Sequence, residues 1–226
     1  MSFKIAIDGP AASGKGTLAK TLAMALSYDY LDTGTLYRAV ARDVLAAKIS
    51  LDANPDNGPD GSPDNGADKQ NEIVAIAQNL ALPISNDDSL RTSEVAQIAS
   101  KIAVLTAVRD ALFEKQRDFA NSPPSGKGAV LDGRDIGSVI LPDADVKFYI
   151  DAALDVRAKR RFLELSATDD TITQAQILAD LTQRDARDKT RTTAPLKPAD
   201  DAIIIDTSEL SAQDVLQLAL NHVKSL

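Results

Sequence analysis

The chain of 226 residues contains no cysteine, which excludes disulfides, thiolate zinc sites, iron–sulfur clusters and a cysteine nucleophile together. Its single histidine, His222, closes a C-terminal apolar pattern of Val215, Leu218, Ala219 and Val223 at helical spacing. It therefore reads as a packing residue, and His-rich metal centres and Ser-His-Asp triads drop out with it. No run of about 18 apolar residues occurs. Met1 to Asp8 passes straight into a strand pattern without the regions of a secretion signal. The expectation is a cytoplasmic protein with no membrane partner. Excess positive charge is also lacking: 33 Asp plus Glu face 25 Lys plus Arg, net −8. That argues against unspecific nucleic-acid binding and requires a local basic cluster for any anionic substrate. Hydrophobic residues at 44% and charged residues at 26% are ordinary for a folded globular chain. The length admits one full-sized domain or two small ones.

What is present is a recurrent pattern of short apolar, β-prone segments ending in an acid. Phe3 to Ile7 runs into Asp8, Ala129 to Leu131 into Asp132, Val146 to Ile150 into Asp151, and Ala202 to Ile205 into Asp206. A shorter segment, Tyr28 to Leu31, precedes Asp32. Strands that are apolar throughout and separated by helical stretches predict an α/β fold with a doubly wound parallel sheet, whose ligand crevice lies at the carboxyl ends of the strands. Helical spacing is expected over Leu36 to Lys48, Lys69 to Leu82, Glu94 to Leu105, Ala107 to Phe119, Leu154 to Leu165, Gln174 to Arg187 and Ala212 to Lys224. Ser211 with Asp214 caps the last of these. Asp52 to Gly66 is almost entirely Pro, Asp, Asn and Gly and reads as a solvent loop; its acids do not match the calcium-loop pattern. Ser122 to Gly126 is a second connector.

Gly9-Pro10-Ala11-Ala12-Ser13-Gly14-Lys15-Gly16-Thr17 follows the first strand and opens the first helix, the context a phosphate-binding loop needs. Backbone N–H groups converge on phosphate oxygens, the helix N-terminus adds positive potential, and Lys15 bridges the β and γ phosphates. Gly16 stands where the general motif has a hydroxyl residue, and the hydroxyl arrives one position later at Thr17. Gly-Lys-Gly-Thr resembles nucleoside monophosphate kinases more than GTPases, and no Asn-Lys-x-Asp guanine motif is present. Asp132 then serves as the second magnesium partner beside Thr17, partly through water.

Three further motifs join this one: Asp32-Thr33-Gly34-Thr35-Leu36-Tyr37-Arg38, Leu131-Asp132-Gly133-Arg134-Asp135-Ile136-Gly137, and Gln183-Arg184-Asp185-Ala186-Arg187-Asp188-Lys189-Thr190-Arg191 running into Ala194-Pro195-Leu196. Together the four resemble the bacterial cytidylate (CMP/dCMP) kinase family of P-loop nucleoside monophosphate kinases, from Phe3 to Val223. The resemblance implies ATP-dependent phosphorylation of CMP and dCMP with Mg2+, in pyrimidine nucleotide metabolism, by a monomer. It implies one kinase domain, with core 1–35, 108–153 and 195–226, a monophosphate-binding insertion 36–107 and a lid region 154–194. Carried over by position, the acceptor-phosphate arginines fall on Arg38, Arg134 and Arg191, the cytosine-reading groups on Ser100, Arg109 and Asp135, and the ribose contacts on Arg184 and Asp188. Thr33 lies near the monophosphate, Arg157 against the ATP adenine, and Lys15, Arg134, Arg191 and Asp132 form the catalytic set. Phosphoryl transfer independently asks for such dispersed positive charge, and arginine forks suit it.

Spacing also allows Arg184 and Arg187 to pair with Asp188 and Asp185, and Arg134 stands between two acids. Between Ala53 and Arg91 the chain departs from the family, whose members carry a longer, β-rich insert. Another small-acceptor P-loop kinase, acting on a different nucleotide, on shikimate or on dephospho-coenzyme A, remains open, as does a nucleotide-binding regulator that does not turn over.

Overall fold

The computed structural model describes residues 2–51, 66–82, 84, 88–167 and 170–225. The connector expected from Asp52 lies, up to residue 65, outside the described residues, as do 83 and 85–87 in the link that follows. The chain divides into two compact units, one formed by Met1–Asp32 with Gln116–Leu226 and the other by Thr33–Lys115.

The first unit is built on five strands, β1 (Phe3–Asp8), β2 (Asp29–Asp32), β3 (Gly128–Gly133), β4 (Val146–Asp151) and β5 (Ile203–Asp206). They form one sheet in the order β2-β3-β1-β4-β5, and every pairing is parallel. The expected doubly wound α/β sheet is therefore what the chain adopts. Its helices are α1 (Lys15–Leu26) and, in C-terminal order after the second unit's, α6 (Leu154–Leu165), α7 (Gln174–Thr190) and α8 (Ala212–Lys224). Ile5, Ile7, Val130, Phe148 and Ile150 of the strands pack with Leu18, Leu22, Val215 and Ala219 of α1 and α8 in one apolar core. His222 lies edge-on to Phe148, with ring centroids 6.3 Å apart, which agrees with its reading as a packing residue. The α8 cap is a full capping box between Ser211 and Asp214. Among the described residues no helix is long and apolar enough to cross a membrane.

The register decides where the acids stand. Asp32 is level with Asp132, Asp8 with Gly133, and Asp151 with Asp206, so the strand-terminal carboxylates gather along one edge of the sheet. The connections diverge at the neighbours β3 and β1: the chain leaves β1 toward β2 on one side of the sheet and leaves β3 toward β4 on the other. In open α/β sheets that switch point is where ligands bind.

The second unit is helical: α2 (Thr33–Ala46), α3 (Gly66–Gln78), a 3-10 turn at Asp88–Arg91, α4 (Ser93–Ile102) and the start of α5 (Thr106–Asn121). α2 packs against α3, α4 and the 3-10 turn, burying Leu36, Val40, Val44, Ile73, Leu90, Val95, Ile102, Val108 and Leu112. Helix bounds agree with the sequence reading within a few residues. A five-residue π-helical turn at Ile136–Ile140 was not legible in Ile-Gly-Ser-Val-Ile, which has neither helical nor strand periodicity.

Candidate active site

β1 leads into the phosphate loop through Gly9, where no side chain fits: a Cβ there would lie 2.0 Å from the Ile150 carbonyl oxygen. Ala12 at φ 60 and Gly14 at φ 91 give the loop its left-handed steps, and Gly14 caps α1 with its carbonyl accepting from the Leu18 N–H at 3.0 Å. Ala11 is anchored in a small apolar cluster with Ala158, Ile177 and Leu181 of α6 and α7. The Ser13 carbonyl accepts from the Thr207 hydroxyl at 2.9 Å, and Arg160 in turn donates to that hydroxyl at 2.9 Å and to the Thr207 carbonyl at 2.7 Å. Loop shape is thus held from outside by groups after β5 and on α6.

Inside the loop, polar capacity is left over. The Ser13 hydroxyl is buried with no hydrogen-bond partner, and the Lys15 ammonium donates only to the Pro10 carbonyl, at 3.3 Å, in the hydrogen bonds of the loop. Withdrawal from solvent, and next the Arg134 guanidinium, pull the Lys15 ammonium down to about 7, against Asp132 and Asp32. Burial, and next the Asp32 carboxylate, push Asp132 up to about 6, opposed by Lys15 and by the Tyr30 hydroxyl, which donates to Asp132 Oδ1 at 2.8 Å. Gly16 faces the second Asp132 oxygen: a Cβ at Gly16 would lie 3.7 Å from Oδ2. A buried orphan hydroxyl, an under-neutralised lysine and a carboxylate flanked by a glycine without a side chain fit a polyphosphate with a divalent cation. Thr17 is exposed at the start of α1. Among the described residues no cluster of three or more His, Asp or Glu forms a ready-made metal cage.

One strand over, the end of β3 meets α7. Arg134 donates to Asp188 at 3.0 Å, Arg191 to Asp135 at 3.3 Å, and Arg184 stands 4.0 Å from Asp188. Five of the residues expected to bind the acceptor or catalyse thus pair up between the end of β3 and α7, with Asp135, Asp188 and Arg191 buried. Burial alone would raise Asp188, but Arg134 and Arg184 outweigh it and hold the carboxyl below its usual range. Asp185 takes a different partner from the one spacing suggested. Arg157 grips it with both nitrogens, at 2.6 and 3.2 Å, and also donates to the Ala152 and Ala11 carbonyls. Arg157, expected against the adenine, is 5% exposed, with its N–H edge committed to these acceptors.

In the second unit, Thr33 is buried at the start of α2, Arg38 follows one turn on, and Ser100 on α4 and Arg109 on α5 are both buried at 5% exposure. Arg109 lies 3.5 Å from the Tyr37 hydroxyl.

Sequence reasoning missed several supporting residues: Tyr30 on Asp132, Thr207 on the Ser13 carbonyl with Arg160 on Thr207, Asp185 on Arg157, and Asp8. The last is 3% exposed; its carboxylate accepts the Ile136 and Gly137 N–H groups at 2.7 Å each. Burial pushes it up to about 7 despite those two donors. All join residues far apart in sequence, and only the strand-terminal position of Asp8 gave any signal.

The family model described as cytidylate kinase matches residues 5–225. A protein named cytidylate kinase from Paramagnetospirillum magneticum is 47% identical over all of this chain and 99% of its own length. Another of that name from Bartonella bacilliformis is 45% identical, with 99% and 95% covered. Among solved structures, an uncharacterized protein from Eubacterium ventriosum superposes with a TM-score of 0.53 over both whole chains at 14% identity, a likeness of fold. With the phosphate loop, the β3-end arginine network and matches of this length in place, the chain belongs to the cytidylate kinase family.

Proposed function

We propose that the chain transfers the γ-phosphoryl group of ATP to CMP, and to dCMP, by direct in-line displacement, giving ADP and CDP or dCDP. The observation that carries this reading is the adjacency, across the β1–β3 switch point, of a phosphate loop with unspent donors and a cluster of arginines paired with buried carboxylates. Family membership supplies the substrate class.

ATP supplies the transferred group, and Asp132 with Thr17 would hold magnesium, which would supply charge neutralisation at the phosphates. The protein's own work is positioning and electrostatics. The Gly9 to Thr17 amides and the Ser13 hydroxyl orient the donor phosphates. A polyanion beside Lys15 favours its ammonium form, opposing the burial and the Arg134 charge that pull it down. Arg134 and Arg191, with Arg38 of the second unit, take the acceptor phosphate and the migrating group. For Arg134 and Arg191 this means exchanging the single carboxylate contact that each makes here for phosphate oxygens, which a guanidinium fork can hold through two N–H groups. Asp135, Arg109 and Ser100 read cytosine, whose N4 amine is a donor beside the N3 and O2 acceptors. Arg184 and Asp188 hold the ribose, and Thr33 lies near the monophosphate. Arg157 offers its guanidinium face to the adenine while its edge holds Asp185. On this reading residues 36–107, within the second unit, are the monophosphate-binding insertion, residues 154–194 with α6 and α7 form the lid region, and the enzyme works as a cytoplasmic monomer.

The test is coupled ADP release with a panel of acceptors: CMP, dCMP, UMP, AMP, shikimate and dephospho-coenzyme A. Turnover with the cytidine nucleotides above all others is the expected result. Preference for another acceptor, or ATP binding with no turnover on any of them, would overturn the reading.

A further inference from the structure

We propose that Asp8 is a positioning residue for acceptor recognition, fixing the π-helical turn at Ile136–Ile140 and through it the stance of Arg134 and Asp135. The inference rests on the reading of those two residues as acceptor-binding groups.

The first amides of a helical turn have no carbonyl partner within the turn. Here Asp135 precedes it in a non-helical conformation, φ −148 and ψ 25, and makes no side-chain cap. Asp8, at the end of the neighbouring strand, supplies the missing acceptors from 128 and 129 residues away, one carboxylate oxygen to each of the Ile136 and Gly137 N–H groups. Beyond that point the turn closes on its own bonds, with the Val139 and Ile140 N–H groups on the Asp135 carbonyl and Leu141 on Ile136. The space beside Gly137 is closed as well. A Cβ on Gly137 would lie 3.1 and 3.2 Å from Lys147 side-chain carbons and 3.4 Å from Asp8 Oδ2. Lys147 cannot readily yield, since its ammonium is pinned by Asp201 and the Pro142 carbonyl at 2.7 to 2.9 Å. Asp8 holds the turn and Lys147 leaves no room beside it, and Arg134 and Asp135 are the two residues that enter it.

Only a carboxylate meets this demand at this length, because two N–H donors converge on one group. Asparagine offers one oxygen and turns an NH2 toward an N–H. Both Asp8 oxygens are committed to the turn, so the effect of losing them falls on the β3 end rather than on the phosphate loop that follows Gly9.

The experiment compares wild type with Asp8→Asn, Gly137→Ala and Ser211→Ala. Asp8→Asn removes an acceptor, and Gly137→Ala presses on the same contact without changing charge. Ser211→Ala breaks the distant α8 cap and serves as a purely structural control. Amide exchange of the ligand-free proteins is read over 134–141, and saturation curves are taken for CMP and for ATP. Expected are tenfold or faster exchange in that segment and a tenfold or greater rise in KM for CMP in both Asp8→Asn and Gly137→Ala. KM for ATP stays within twofold, and the control changes only thermal stability. Faster exchange with unchanged KM for CMP, an equal rise in both KM values, or no change in exchange would each overturn the proposal. If Asp8→Asn does not fold, Gly137→Ala decides. Failure of wild type to use CMP would instead overturn the functional reading, and the exchange data would still report whether Asp8 holds the turn.

Discussion

The phosphate loop and the arginine cluster at the end of β3 both sit on strand ends of one sheet, yet they stand ready for an anion in different ways. The loop offers backbone donors and a buried hydroxyl with no partner, and its lysine is under-neutralised. In the cluster, by contrast, Arg134 and Arg191 already hold carboxylates, Asp188 and Asp135. The difference teaches that the loop carries an electrostatic cost in the ligand-free state that an anion relieves, whereas the cluster must trade one anion for another. Loss of charge in the loop therefore removes catalysis outright, and loss of a carboxylate in the cluster shifts selection and stability.

The largest effect is expected from Lys15→Ala. Removing a charge that acts on the migrating group costs about 10²- to 10³-fold or more in kcat, with thermal melting near wild type. Saturating kcat measured beside the melting curve checks it, and near-normal kcat in a folded variant would erase the contrast. Next come Asp135→Ala and Arg109→Ala, which leave buried polar groups unpaired at a cost of about 1 to 3 kcal/mol. The ratio of kcat/KM for CMP over UMP is expected to fall about tenfold, with KM for ATP unchanged. An unaltered ratio in both variants would remove the base-reading role.

Asp188→Asn sharpens the comparison through pH. The native carboxyl is held below its usual range by Arg134 and Arg184. Its stabilising contribution is therefore complete above the unfolded value of 3.8 and disappears as pH falls through the lower folded value. The melting temperature of Asp188→Asn is expected to lie below wild type at pH 5 to 8, by a gap that closes under strong acid. A gap that does not change with pH would mean Asp188 acts by packing alone. The smallest effect has the opposite sign. Asp132 is raised from 3.8 to about 6, so the folded state loses stability from this group as pH rises across that window. Asp132→Asn keeps an oxygen for the Tyr30 hydroxyl and removes the buried charge. Its ligand-free melting temperature at pH 7.5 is expected to exceed that of wild type by roughly 2 to 4 °C, the shift for about 1 kcal/mol in a chain of this size, while turnover falls. Lower stability would show that Asp132 is well compensated without a ligand.

The same contrast governs what could be read from the chain itself. The phosphate loop is contiguous and local, strand to turn to helix, so Gly9 to Thr17 declares itself, as does the Ser211 and Asp214 box on α8. The arginine cluster is assembled from pairs 54 and 56 residues apart, and only family resemblance gathered it. Local spacing even misled: Asp185 and Arg187 are two apart on α7, and residues so spaced do not face each other. Asp185 turns instead to Arg157, 28 residues upstream on α6. Ser100 and Arg109 are buried positions on helical faces, where periodicity alone says core.

The central claim is that a phosphoryl group passes from ATP to CMP without a detour through water. Phosphorus-31 NMR of wild-type protein with magnesium, ATP and CMP tests it most directly. The account predicts growth of the β-phosphate doublet of CDP in step with ADP. Orthophosphate accumulating while the CMP resonance stays constant would contradict it.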